Sequence, residues 1–301
     1  MGEWAVRRPA IAGSLSLGDM ANFFNRWFGK HEAEKGATRD VASLVASLAS
    51  PAIHIVKTDG LSRSYLGGAP NLPPDVKWPE RDGKRLAFLA RLSLDEIQQA
   101  LPIEWLPGAG ALLFFYDVEQ QPWGFDPKDR GSWAVLPVPD LAAPVSAPTR
   151  DSKRSGSDLP HRNVVFRRID VLPSADREAV DALGLSQTEI DRYCDLAAAV
   201  FQDAPRHQVA GFPAPLQNDD MEVECQLASH GLYAGDASAR ADARAKPLEP
   251  GATHWRLLFQ LESDDDVGVM WGDGGTIYYW VEADAARTGQ FDNTWLILQC
   301  F

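Results

Sequence analysis

The chain has 301 residues, 45% of them hydrophobic, and its 10 Trp, 13 Phe and 6 Tyr suffice for a sizeable core. Its net charge of −13 sits mainly in residues 213–301, where 15 acidic side chains outnumber 5 basic ones. That surplus repels a phosphate backbone and so argues against nucleic acid, and the absence of any apolar run of about 18 residues excludes a membrane-spanning helix.

Taken in chain order, Arg7 and Arg8 precede an apolar stretch at 9–17 that Pro9, Gly13 and Ser14 interrupt, which makes a poor export signal. Within residues 16–30, Met20, Phe23, Phe24, Trp27 and Phe28 recur at helical spacing. The stripe predicts an amphipathic helix docked on its own domain, because its polar face is too weakly basic for a membrane surface. A second helix is predicted at 39–49, ended by Pro51 before the apolar run 53–56. Residues 1–50 therefore read as an N-terminal helical extension. Gly67, Gly68, Pro70, Pro73 and Pro74 make 64–78 extended and irregular. The run 86–92 has strand length, Ser93-Leu94-Asp95-Glu96 has the form of a capping box for a short helix, and 111–118 reads as a buried strand. Residues 140–160 lack periodicity and form a surface linker. A strand at 163–172, a helical signal at 175–183 and a capped helix from Ser186 to about Asp203 follow, and 234–252 reads as a loop.

The strand-rich parts occur twice. Leu86-Ala87-Phe88-Leu89-Ala90-Arg91-Leu92 answers Trp255-Arg256-Leu257-Leu258-Phe259-Gln260-Leu261, and acidic residues follow both. Gly110 and the strand after it answer Gly275 and 276–282, and Gly68-Ala69-Pro70 answers Gly211-Phe212-Pro213. Two units cannot stack as a solenoid, which needs at least three. They are expected to pack about a pseudo-twofold as one α+β, β-rich body with a few peripheral helices, with 51–139 as first repeat, 140–160 as linker and 161–301 as second repeat.

Three groups could carry chemistry. Glu262, Asp264, Asp265, Asp266 and Asp273 form the densest carboxylate cluster; Asp264, Asp266 and Asp273 are weak candidates for a hard cation. Their spacing departs from the alternating calcium-loop pattern, and capping of a turn explains the same residues. Trp271-Gly272-Asp273-Gly274-Gly275 is a glycine-rich turn before a strand, open to a ligand or simply a hairpin with Trp271 in the core. His207 could act as a base or as a hydrogen-bonded structural residue. Cys194, Cys225 and Cys300 form no C-x-x-C pair, which fits reduced thiols in the cytoplasm.

The chain resembles the YwqG-like family of bacterial proteins. The resemblance is carried by 67–74, Trp78-Pro79, 86–92, 112–117, Pro122-Trp123-Gly124, His207, 211–213 and Gln217. It is strongest at 257–266, and Met270-Trp271-Gly272-Asp273 and Leu298-Gln299-Cys300 complete it. It spans about residues 50–301, implies an α+β fold, and supplies no mechanism; gene context points some relatives towards an immunity role against a partner toxin. No nucleophile elbow, H-E-x-x-H or P-loop is present, so a non-catalytic binding protein is expected, without cofactor, engaging a basic partner protein. Its candidate binding residues are His207, Gln217, Asp264, Asp265, Asp266, Trp271 and Asp273. The alternative is a metal-assisted hydrolase or small-ligand binder with its site between the repeats. Nothing in the sequence fixes the oligomeric state.

Overall fold

The computed structural model describes residues 39–139, 159–236 and 238–301. The helix expected at 16–30 and nearly all of the linker expected at 140–160 lie outside these residues. The first half carries β1 (Ser50–Lys57), β2 (Tyr65–Leu66), a small hairpin of β3 (Glu80–Arg81) and β4 (Lys84–Arg85), then β5 (Ala87–Ser93), β6 (Ala111–Tyr116) and β7 (Trp133–Val138). The second half carries β8 (Arg162–Val171), β9 (Gln208–Val209), β10 (Trp255–Glu262), β11 (Thr276–Glu282) and β12 (Trp295–Gln299). Apart from the β3–β4 hairpin, these strands form one antiparallel sheet in the order β12-β11-β10-β9-β1-β8-β2-β5-β6-β7.

That order is symmetric about the β1–β8 pair, and it contains an exchange. β1 of the first half pairs with β9 of the second, and β8 of the second pairs with β2 of the first. Each half therefore gives its opening strand to the other. Register fixes the correspondence residue by residue: Tyr65 lies between Asn163 and Arg91, as Gln208 lies between His54 and Gln260. The aligned strands even share their irregularity, a register shift at Leu89 between β5 and β6 and at Leu258 between β10 and β11. Such bulges bend a strand and are specific features, so a matched pair at aligned positions supports duplication more strongly than composition does.

The bend brings the two half-sheets face to face over an aromatic core. Phe114 of β6 meets Phe259 of β10 at 4.6 Å and Tyr279 of β11 at 5.2 Å between ring centroids, and Tyr116 meets Trp271 edge-on at 5.6 Å. The outer ends of the sheet, β7 and β12, are tied by side chains and a loop. Trp133 Nε1 donates to the Thr294 carbonyl, Leu298 N–H to the Trp123 carbonyl and Trp295 Nε1 to the Gly124 carbonyl, at 2.7–3.0 Å. The result is a nearly closed barrel whose two edges protect one another.

Several expectations need correction. Glu96 does not close a capping box at Ser93 on the helix Leu94–Ala100; its carboxylate binds Ser64 Oγ and the Arg63 N–H instead. Residues 234–252 are not a plain loop, because 238–254 forms the short helices Ser238–Ala241 and Ala245–Leu248 and the 3-10 turn Glu249–His254. The helical signal at 175–183 shrinks to Glu178–Asp181, whereas the Ser186 capping box opens Gln187–Ala199 as expected.

Gly124 is the tightest point of the closure. Its φ is +82°, and a Cβ there would lie 1.7 Å from the Leu296 carbonyl oxygen of β12. Gly83, in the β3–β4 turn, has a similar φ of +75° with nothing within 4 Å of a Cβ. Gly124→Ala is therefore expected to destabilise by roughly 3 kcal/mol or more, combining backbone strain with a forced shift of β12. Gly83→Ala should cost only about 1 kcal/mol. Urea denaturation of the two variants measures the difference; equal losses would show that β12 does not clamp on Gly124.

Candidate functional site

The acidic loop after β10 is an internal latch. Asp264 is buried and accepts from Lys57 Nζ at 2.7 and 2.9 Å, from His207 Nε2 at 3.0 Å and from the Asp266 N–H at 2.9 Å. His207 Nδ1 accepts from the Glu262 N–H at 3.2 Å, which puts the ring proton on Nε2, facing Asp264. Burial works against ionisation of Asp264, but the bonds from His207 and Lys57 prevail and hold its carboxyl well below the usual carboxylate range. Lys57 Nζ also binds Asp266 at 2.7 Å, so the cation that this loop holds is the chain's own ammonium. Among the described residues no group of three His, Cys, Asp or Glu side chains is arranged for a metal ion. His207 is 1% exposed and cannot present a base to a solvent-borne substrate.

The remaining sequence candidates serve the barrel. Gln217 Nε2 donates to the Cys300 carbonyl at 2.9 Å and its N–H to Gln299 Oε1 at 3.2 Å, fastening the end of β12. Trp271 is buried in the core, and the glycine turn beyond it is filled by its own chain: a Cβ on Gly275 would lie 2.3 Å from the Gln299 carbonyl oxygen. Asp265 and Asp273 are exposed and form no ion pair among the described residues. The structure thus brings His207, Asp264 and Asp266 together around Lys57, and leaves Gln217, Asp265, Trp271 and Asp273 apart from them.

A cleft of about 500 Å³ does lie between the halves, but none of the candidate residues lines it. The first half supplies Ser50, Pro51 and the turn 101–105; the second supplies Arg177, residues 210–212, Glu222, residues 252–253 and 255–257, and Trp280. The turn is held by Gln98, whose Nε2 donates to the carbonyls of Ile103 and Leu106 while its Oε1 accepts from the Ile103 N–H. Across from it, Trp255 Nε1 donates to Gln226 Oε1 at 2.8 Å. Arg177 stacks over Phe212 at 5.0 Å and is neutralised by Asp219 and by Glu222 at 2.7 Å. Ile103, Trp255, Leu257 and Trp280 give the cleft a buried apolar lining. Nothing in the sequence joins these residues, because their only common signal is register across the exchanged strands.

The helix Met221–Ser229 behind the cleft holds Glu224, a buried carboxyl whose Oε2 has no hydrogen-bond partner among the described residues. Burial pushes it up to about 7; a bond from Asn218 and the charge of Arg240 pull down, and Asp220 and Glu222 push further up. The folded state therefore holds this proton more tightly than the unfolded chain, whose carboxyl titrates near 4.5. Its contribution to stability is complete below that value and is lost as pH rises through 7, by about 3 kcal/mol at most. Glu224→Gln should flatten the fall in Tm across that range; an unchanged slope would assign the dependence to other groups. For the latch, Lys57→Met leaves Asp264 short of a cation and should cost roughly 2–3 kcal/mol. Asp266→Asn, at a side chain 70% exposed, should cost under about 0.5 kcal/mol. Thermal denaturation of the pair would refute the latch if both losses were small.

A family model for a domain of unknown function, DUF1963, matches residues 64–300. The matched span covers β2 to β12, the acidic loop and most of the cleft, and leaves the exchanged strand β1 with Lys57 outside. No curated protein matches the chain. With more than half of its length matched by that model, the chain belongs to the DUF1963 family.

Proposed function

We propose that this chain is a non-catalytic binding protein whose ligand occupies the cleft between its two halves. The observation that carries the reading is the contrast between the two candidate places. The acidic loop has Asp264 and Asp266 engaged by Lys57, and Asp264 also by His207, while the cleft is a concave space of about 500 Å³, within the range of small-ligand pockets, with buried apolar lining and polar groups at its rim. Duplicated folds offer such boundaries because the two copies need not contribute equivalent residues there.

A basic partner protein draws on the acidic surplus of residues 213–301, and three basic side chains from outside that segment, Lys57, Arg177 and Arg206, offset part of it. Asp219, Asp220, Glu222, Asp242, Glu262, Asp264 and Asp284 each pair with a basic side chain of the chain itself. This favours the cleft over a purely electrostatic surface. The YwqG-like signature falls almost wholly inside the matched span, and we read the two as one bacterial family. Three free cysteines, two of them buried, support a reducing, cytoplasmic setting.

Ligand-observed NMR with a library of small amphipathic fragments tests the proposal. Binding fragments should compete with one another and lose their signal in Thr253→Trp, which places an indole at an exposed position on the cleft wall. Fragments that bind the variant as well as the parent, or an absence of binding fragments, would overturn it.

A further inference from the structure

The charges along the cleft are unevenly satisfied. Arg177 has two carboxylate partners, one of which is Glu222, so this cluster is closed on itself. The other two charged lining residues are Glu104, on the turn of the first half, and Arg256, at the start of β10 in the second. Both are exposed, they do not pair with each other, and neither forms an ion pair with any described residue.

Arg256 is nevertheless held in place. Its Nη1 donates to the Thr253 carbonyl at 2.7 Å and to the Trp255 carbonyl at 2.8 Å. These bonds anchor one end of the guanidinium and leave its Nε and Nη2 edge for an acceptor, the edge that suits a carboxylate in the two-point manner. Glu104 follows Ile103, whose N–H and carbonyl are both bonded to Gln98, so the carboxylate opposite is carried on a fixed backbone. Trp105, Trp255 and Trp280 line the same cleft. The Trp280 indole N–H is buried and has no acceptor among the described residues.

We infer that the cleft takes a small zwitterion with an apolar body, its ammonium on Glu104, its carboxylate on Arg256 and its apolar part against the indoles. A free amino acid with a large apolar side chain has this chemistry and fits a space of about 500 Å³. The assignment rests on the cleft being the binding site. It adds that opposite charges on opposite halves select the ligand, and that the ligand bridges the two repeats.

Calorimetric titration with three probes that share a phenylethyl frame tests it: L-phenylalanine, phenethylamine, which lacks the carboxylate, and 3-phenylpropionate, which lacks the ammonium. L-phenylalanine should bind at least about 10-fold more tightly than either analogue, the difference expected of one charge-assisted contact. Arg256→Gln should erase its advantage over phenethylamine, and Glu104→Gln its advantage over 3-phenylpropionate. Both substitutions are at exposed positions, and an unchanged Tm verifies that each variant is folded. Equal binding of all three probes, or tightest binding of either single-charge analogue, overturns the zwitterion and leaves the cleft as a binding site if Thr253→Trp abolishes that binding. No binding of any probe overturns the zwitterion; whether the cleft itself also fails is then decided by the fragment competition.

Discussion

Two strands of two residues each hold the architecture together, and neither can hold itself. β2 and β9 are the joints at which each half receives the strand that the other half donates. A two-residue strand offers too few backbone bonds to fix register, so side chains must do it. In the first half Glu96 binds the Arg63 N–H and Ser64 Oγ, and Arg91 binds the Arg63 carbonyl. In the second, Glu262 binds the Arg206 N–H, Asp264 binds His207, and Gln260 binds the Arg206 carbonyl at 2.6 Å. By register Arg63 and Arg206, Ser64 and His207, and Arg91 and Gln260 are the same positions, while the carboxylates that bind them come from different ones. The fold has kept the polar latch while changing the residues that make it, since a buried backbone group must be bonded but does not specify by what.

The exchange makes the two halves inseparable. Removing β1 from β9 would expose the inner edge of the second half-sheet, and removing β8 from β2 would expose that of the first. Lys57 adds a tie of the same kind, since it ends β1 yet binds Asp264 and Asp266 after β10. The acidic loop is thus part of the joint between halves.

Much of this was legible in the sequence, and the limits have physical causes. The pairing of 86–92 with 255–261 survives because apolar strands buried on both faces keep their character, and even the bulge falls at aligned residues, Leu89 and Leu258. The edge strand β7 escaped notice because Pro137 interrupts its pattern, which an edge tolerates and a central strand does not. β9, two residues long, has no periodicity to read. His207 and Asp264 were found as candidates, but their partner Lys57 lies 207 positions from Asp264. Only the exchange of β1 brings it there. Glu104, Arg177 and Arg256 carry no motif and meet through tertiary register alone.

The two halves nevertheless contribute unequal walls to the cleft. One wall is the turn 101–105, which exists because β5 runs into the helix Leu94–Ala100 and Gln98 folds the chain back beneath it. At the corresponding point after β10 the second half has no helix; Ser263 to Gly275 forms a tight hairpin instead, with Ser263 Oγ bonded to the Gly275 carbonyl and Asp264 drawn inward to Lys57. A hairpin so closed supplies no such turn. The helix that provides the wall and the acidic hairpin that strengthens the joint are therefore two outcomes at one duplicated position. The first copy keeps the cleft wall and the second the joint.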